Sequence, residues 1–211
     1  MSRFLESVIG RLMPSPKDGA HGTRKLFTRC DNIRPKYRQP NMTVTSPELG
    51  PSGSFLTAHN AGDGDGNFPS LTWQLSPDLA NTSGRVKEYL IVVEDLDVPL
   101  TGTILLGVFY GIPASRTSVT EGDFERTEKG VFGRRLSGGF KYCPMRRNRV
   151  WNAPRPVRRH GPHRYHFQVV ALNSTIDRPE LSQFPTKESF VGAIEGKVVG
   201  WGEWVGLYER K

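Results

Sequence analysis

The chain has 211 residues, with 29 Lys and Arg against 21 Asp and Glu for a formal net charge of +8, and it carries 23 Gly and 16 Pro. That length suits one domain with a full core, or one domain and a tail. So much Gly and Pro excludes a long-helix bundle or coiled coil, and 10% aromatic residues exclude disorder of the whole chain.

Residues 1–40 hold nine basic and three acidic side chains and read as a basic arm, with residues 41–211 as the domain. Within the arm, Phe4, Leu5, Val8, Ile9 and Leu12 predict a short helix over 4–12 that Pro14 and Pro16 end. No long apolar core or small-residue cleavage site follows, which argues against a secretory signal. Arg3 and Arg11 leave a mitochondrial presequence open, with Glu6 and the scarcity of Ser against it. Cys30 and Cys143 form no CxxC spacing and read as free thiols of a reducing compartment, with the cytoplasm as the expected location.

From Met42 the texture changes. Thr43–Thr45 alternates, Ser54–Ala58 is short and apolar, and Leu71–Leu75 contains Trp73. Between them Ala61–Asn67 (AGDGDGN) reads as a turn, because no bidentate Glu follows where a calcium loop needs one. Glu88–Val93 (EYLIVV) and Leu105–Tyr110 (LLGVFY) are continuous apolar runs, the pattern of central strands. The charge-free run Val98–Ser115 is broken by Pro and Gly, and its apolar centre reaches about half a membrane span, so no transmembrane segment is expected. Arg164–Leu172 predicts another strand, Lys187–Glu195 a helix, and Val198–Glu209 a closing strand. Short strands with irregular connections point to an antiparallel sandwich or barrel.

Charge is blocked by sign. Residues 41–125 hold eleven acidic and three basic side chains, whereas 126–164 hold twelve basic and one acidic. The blocks either pair with each other or wall a charged pocket. The strand Leu90–Val93 runs into Glu94-Asp95-Leu96-Asp97-Val98-Pro99, where carboxylates two residues apart project to one side. Buried carboxylates need donors, a cation or a pocket. The second constellation is Asn152–Tyr165, in which Pro154, Pro156, Gly161 and Pro162 stiffen a loop that delivers His160, His163, Arg164 and Tyr165 to the mouth of a strand. Such a loop presents several donors to an anion at small ordering cost. His160 and His163 lack a nearby Cys and make a thin zinc site, so no metal or other cofactor is assigned. No Gly-x-Ser-x-Gly elbow occurs, and no aromatic platform for nucleic acid is evident.

These motifs resemble those of the phosphatidylethanolamine-binding proteins. EDLDVP resembles the family's Asp-Pro-Asp-Ala-Pro motif through Asp95, Asp97 and Pro99, and Ala153–Tyr165 resembles its second motif through Pro154, His163, Arg164 and Tyr165. The tail Ala193–Arg210 and the arm around Lys25 resemble the version in filamentous fungi. The resemblance implies a mainly β fold, a sandwich of a large and a small antiparallel or mixed sheet with a few short peripheral helices. It also implies a small anion pocket between the motifs that takes phosphate, a phospholipid head group or acetate. Departures matter as well. Leu106 stands where the family has a pocket His, Ala153 where it has Gly, and Leu96 where it has Pro. Losing an imidazole removes a charge-assisted hydrogen bond of about 1.5–3 kcal/mol. Arg146, Arg147, Arg149, Arg155, Arg158 and Arg159 add planar forks suited to carboxylates.

Together these features favour an apolar ligand carrying carboxylates. Some fungal members assist the dimerising cyclisation of alkyl maleic anhydrides into maleidrides, which the resemblance extends to this chain. In that reading Asp95 and His163 transfer protons, while Asp97, Pro99, Leu106, Pro154, Arg155, Arg158, Arg159, His160, Arg164 and Tyr165 line the ligand. The alternative is a non-catalytic binder of phosphate or phospholipid head groups, or of a regulatory protein partner such as a kinase.

Overall fold

The computed structural model describes residues 26–30, 37–81, 86–98, 103–127, 135–177 and 186–211. The helix expected over 4–12 and Pro99 lie outside them. The strands are β1 (Met42–Thr45), β2 (Leu71–Leu75), β3 (Glu88–Asp95), β4 (Ile104–Pro113), β5 (Ser118–Val119), β6 (Lys141–Tyr142), β7 (His163–Leu172) and β8 (Val198–Tyr208). Two short helices join them, α1 (Pro77–Ala80) and α2 (Lys187–Ile194). The small sheet runs β1-β2-β5 and the large one β6-β4-β3-β7-β8, with antiparallel pairing throughout. Among the described residues no helix is long and apolar enough to cross a membrane.

Every residue of β3 is buried, which explains why EYLIVV shows no alternation. Tyr89, Ile91 and Val93 face the small sheet and pack with Trp73, Phe109, Phe167 and Trp204. Leu90 and Val92 face the opposite way, into a second core with Phe190, Ile194 and Trp201. Ser54–Ala58 lies across β8 on one parallel bridge, Phe55 to Leu207, after Gly50 and Gly53 turn the chain at positive φ. Gly202 of β8 lets β1 come close, since a Cβ there would overlap the Met42 carbonyl.

Part of the basic arm belongs to the second core. Leu26 and Phe27 are fully buried, and the chain around them is held by side chains on the outer face of the large sheet. Glu94 Oε2 accepts from the Phe27 amide at 2.6 Å and from Gln168 Nε2 at 2.8 Å, and Glu94 Oε1 accepts from Lys187 Nζ at 2.7 Å. Gln168 Oε1 in turn accepts from the amide and hydroxyl of Thr28. Arg29 stacks over Trp201 and pairs with Glu203, whose carboxylate also meets His166 Nδ1 at 3.0 Å. Burial opposes ionisation of Glu203, but His166 and Arg29 outweigh it and hold the carboxyl below its ordinary range.

Candidate functional site at the ends of β3 and β7

Antiparallel register sets Asp95 opposite Tyr165 on one side and Ile104 on the other. Because side chains alternate along a strand, Glu94 serves the outer core while Asp95 projects to the inter-sheet side with Tyr165. Asp95 Oδ1 accepts from the Asp97 amide at 2.9 Å, a short turn that leads the chain out of the strand. Asp97 is buried and takes three bonds from one residue: the Arg164 amide at 2.7 Å, Nε at 2.8 Å and Nη2 at 2.6 Å. This bidentate pair raises the Arg164 pKa and joins the two motifs. At this point the acidic and basic blocks pair with each other, and Arg164 braces the site.

His163 is almost wholly buried, with Nδ1 at 2.9 and 3.2 Å from the Asp95 oxygens. Its Nε2 lies 2.7 Å from His160 Nδ1, and the two rings meet edge-on with centroids 5.0 Å apart. The Tyr165 ring lies roughly parallel to His163, 6.4 Å away. Its hydroxyl is buried beside the Asp95 carboxylate, without a well-formed hydrogen bond to it. Burial and then the negative charge of Asp95 push that phenol far above its ordinary range, so it is a donor at any physiological pH. Leu106 is buried in the same core as Tyr165 and Trp151, and its carbonyl accepts from the Asn152 amide at 2.8 Å. Ile104, directly across from Asp95, is 38% exposed. The strand ends around Asp95 and Tyr165 therefore carry both an apolar core residue and an exposed apolar one.

The stiff loop is held from behind. The Pro154 carbonyl accepts from the Gly62 amide at 2.8 Å, and Trp151 Nε1 donates to the Gly66 carbonyl at 2.9 Å. Buried Arg210 donates to the Pro156 carbonyl at 3.1 Å and to Asp63 Oδ2 at 2.9 Å, and Tyr208 donates its hydroxyl to Asp63 Oδ1. The AGDGDGN turn is thus a brace for the second motif, and Asp63 is its anchor. Arg155 and Arg159 are exposed, while Arg158 is half-buried and donates to the Lys211 carbonyl. Arg146, Arg147 and Arg149 are exposed on a turn closed by the Met145 amide and Arg149 carbonyl at 2.8 Å. Among the described residues no cluster of three or more His, Cys, Asp or Glu is arranged to hold a metal.

The brace has a pH signature. Burial raises the Asp63 pKa, but bonds from Tyr208 and Arg210 outweigh that effect and hold it below the usual 3.8. A depressed carboxyl adds stability that is present above its unfolded pKa and is lost as pH falls through the folded one. Asp63→Asn is therefore expected to be less stable than the parent at neutral pH. The gap in urea midpoint should begin to narrow as the pH drops below about 4 and close only below the lowered folded-state pKa.

A sequence profile of the phosphatidylethanolamine-binding proteins matches residues 45–209. The chain belongs to the phosphatidylethanolamine-binding protein family. It is 41% identical over 177 residues to Phomoidride biosynthesis cluster protein B of Talaromyces stipitatus, an alignment covering 83% of this chain and 70% of that one. A protein of the same name from a second fungal strain is 38% identical over 175 residues, covering 82% and 81%. Among solved structures, a phosphatidylethanolamine-binding protein homologue from Chlamydia trachomatis superposes with a TM-score of 0.58 at 22% identity, covering 82% of this chain and all of the other. An E. coli family member gives 0.56 at 23% identity, covering 81% and 99%. These structures share the fold, and the family expected from the two motifs is the one found. In this family member the two motifs meet through Asp97–Arg164 and Asp95–His163. Ile104 and the Asp63–Arg210 brace are additions that the motifs did not point to.

Proposed function

We propose that this family member assists the dimerising cyclisation of alkyl maleic anhydride units in a fungal secondary-metabolite pathway. The observation that carries the reading is the pairing of an acid–base chain, Asp95–His163–His160, with an apolar neighbourhood of Leu106 and Ile104. The relatives named for phomoidride biosynthesis support it. Cyclisation of this kind needs a carbanion from one monomer to attack the unsaturated anhydride of a second. In the deprotonation route a C–H proton passes to the Asp95–His163–His160 chain, the electron pair forms the new C–C bond, and the proton returns to the enolate that results. The buried Tyr165 hydroxyl, which has no well-formed hydrogen bond to the neighbouring Asp95, donates to an anionic oxygen. Holding both monomers in attack geometry supplies much of the rest.

Purified protein given the two monomers should then raise the yield of dimer or fix its stereochemistry. Asp95→Asn keeps the volume of the side chain but withdraws the charge that orients His163, and it is expected to lower the protein-dependent rate on the order of 10²-fold or more. An unchanged rate in that variant would overturn the assignment. Titration separates the reading from that of a simple head-group binder. Saturable binding of phosphate and phosphorylethanolamine, with no response to an alkyl dicarboxylate, would favour the binder.

A further inference from the structure

Both nitrogens of His163 are engaged inside the protein. Nδ1 lies 2.9 Å from Asp95 Oδ2, and Nε2 lies 2.7 Å from His160 Nδ1. A neutral imidazole offers one N–H and one lone pair, and an imidazolium offers two N–H groups. With Asp95 on one side and His160 on the other, His163 has no nitrogen left for a ligand in either state. The turn that places His160 is firmly set. Arg159 and Gly161 on its two sides both have positive φ, 60° and 98°, and the Arg159 amide donates to the Arg210 carbonyl at 2.9 Å. His160 itself is only 5% exposed.

We propose that His160 is a positioning residue that completes and gates the Asp95–His163 pair, so that protons reach His163 through the His160 ring. His163 then does not act as a lone base. A proton arriving at or leaving its Nε2 crosses the 2.7 Å gap to His160 Nδ1. The part of this inference that concerns rate rests on the cyclisation reading above, and the part that concerns hydrogen bonding does not.

The direct test is NMR of the full chain labelled with ¹⁵N at histidine. A scalar coupling across the hydrogen bond between His163 Nε2 and His160 Nδ1 is expected in the wild type and should vanish in His160→Phe, which keeps a ring but loses the nitrogen. In the monomer assay, His160→Phe should lower kcat roughly tenfold or more with KM changed less than about twofold. His160→Asn, whose amide can occupy the place of Nδ1 but cannot take up and release a proton, should leave most of that loss in place, whereas a purely structural role would be rescued by it. Absence of the coupling in folded wild type overturns the inference, and so does a His160→Phe variant with wild-type kcat. If the wild type forms no dimer at all, the cyclisation reading fails and the coupling alone decides the role of His160.

Discussion

Glu94→Ala is expected to destabilise the protein by about 3–5 kcal/mol, the cost of removing one partner from a buried ion pair. Glu94 is completely buried and serves the Phe27 amide, the Gln168 amide, the Lys187 ammonium and the Thr103 hydroxyl at 3.1 Å. Alanine leaves a buried backbone N–H and a buried side-chain amide without their acceptor, each a desolvation loss of about 1–3 kcal/mol. The carboxylate also ties three separate pieces of chain, the arm at Phe27, the strand β7 through Gln168, and α2 through Lys187. Its loss should therefore release the arm as well as lower the urea midpoint. Glu94→Gln keeps the volume and one acceptor, and it should lie between wild type and alanine. Urea unfolding followed by circular dichroism, with hydrogen exchange at Phe27 and Thr28, checks both parts. A loss under about 1 kcal/mol with unchanged exchange at Phe27 would mean that Glu94 does not hold the arm in solution.

Tyr165→Phe is expected to move stability and ligand binding in opposite directions. The phenol hydroxyl is buried beside the Asp95 carboxylate without a well-formed hydrogen bond, and a buried hydroxyl so poorly satisfied costs about 1–3 kcal/mol. Phenylalanine removes the cost and keeps the ring against His163, so the free protein should gain stability of that order. The same change deletes a donor to an anionic ligand, worth about 1.5–3 kcal/mol when the acceptor is charged, or roughly 10–150-fold in affinity. Thermal unfolding and titration with an alkyl dicarboxylate give the two readouts. A variant that is both less stable and unaltered in binding would show that the hydroxyl serves the fold alone.

Much of this architecture is legible in the sequence, and the reasons differ from element to element. The strands β3, β4, β7 and β8 announce themselves because both faces of the large sheet are covered, which leaves long apolar runs. Asp95, Asp97, His163, Arg164 and Tyr165 are readable as motif residues, since rigid Pro and Gly neighbours mark the strand ends at which they lie. Partner choice was not readable. That Arg164 closes on Asp97, and that His160 rather than a ligand caps His163, depends on strand register and on a turn with positive φ at Arg159. Nor does the sequence reveal that Asp63 and Arg210, almost the length of the domain apart, meet to brace Pro156. The arm reads as a basic tail by composition, yet Leu26–Arg29 packs against the large sheet because Glu94, Gln168 and Glu203 on the outer face meet its backbone and side chains.

The net charge of +8 is likewise a sum of unlike parts. Its acidic block supplies Asp95 and Asp97, and its basic block supplies the residues that pair with them. Paired in this way, the two blocks meet at the junction that the proposed function asks to hold a small anion beside apolar side chains. The most direct measurement of that claim is dimer formation from the two anhydride monomers with and without stoichiometric wild-type protein, followed by chromatography of the products. A faster, protein-dependent rate and a single dominant stereoisomer are expected. The same rate and the same isomer distribution in both samples would contradict the proposed function.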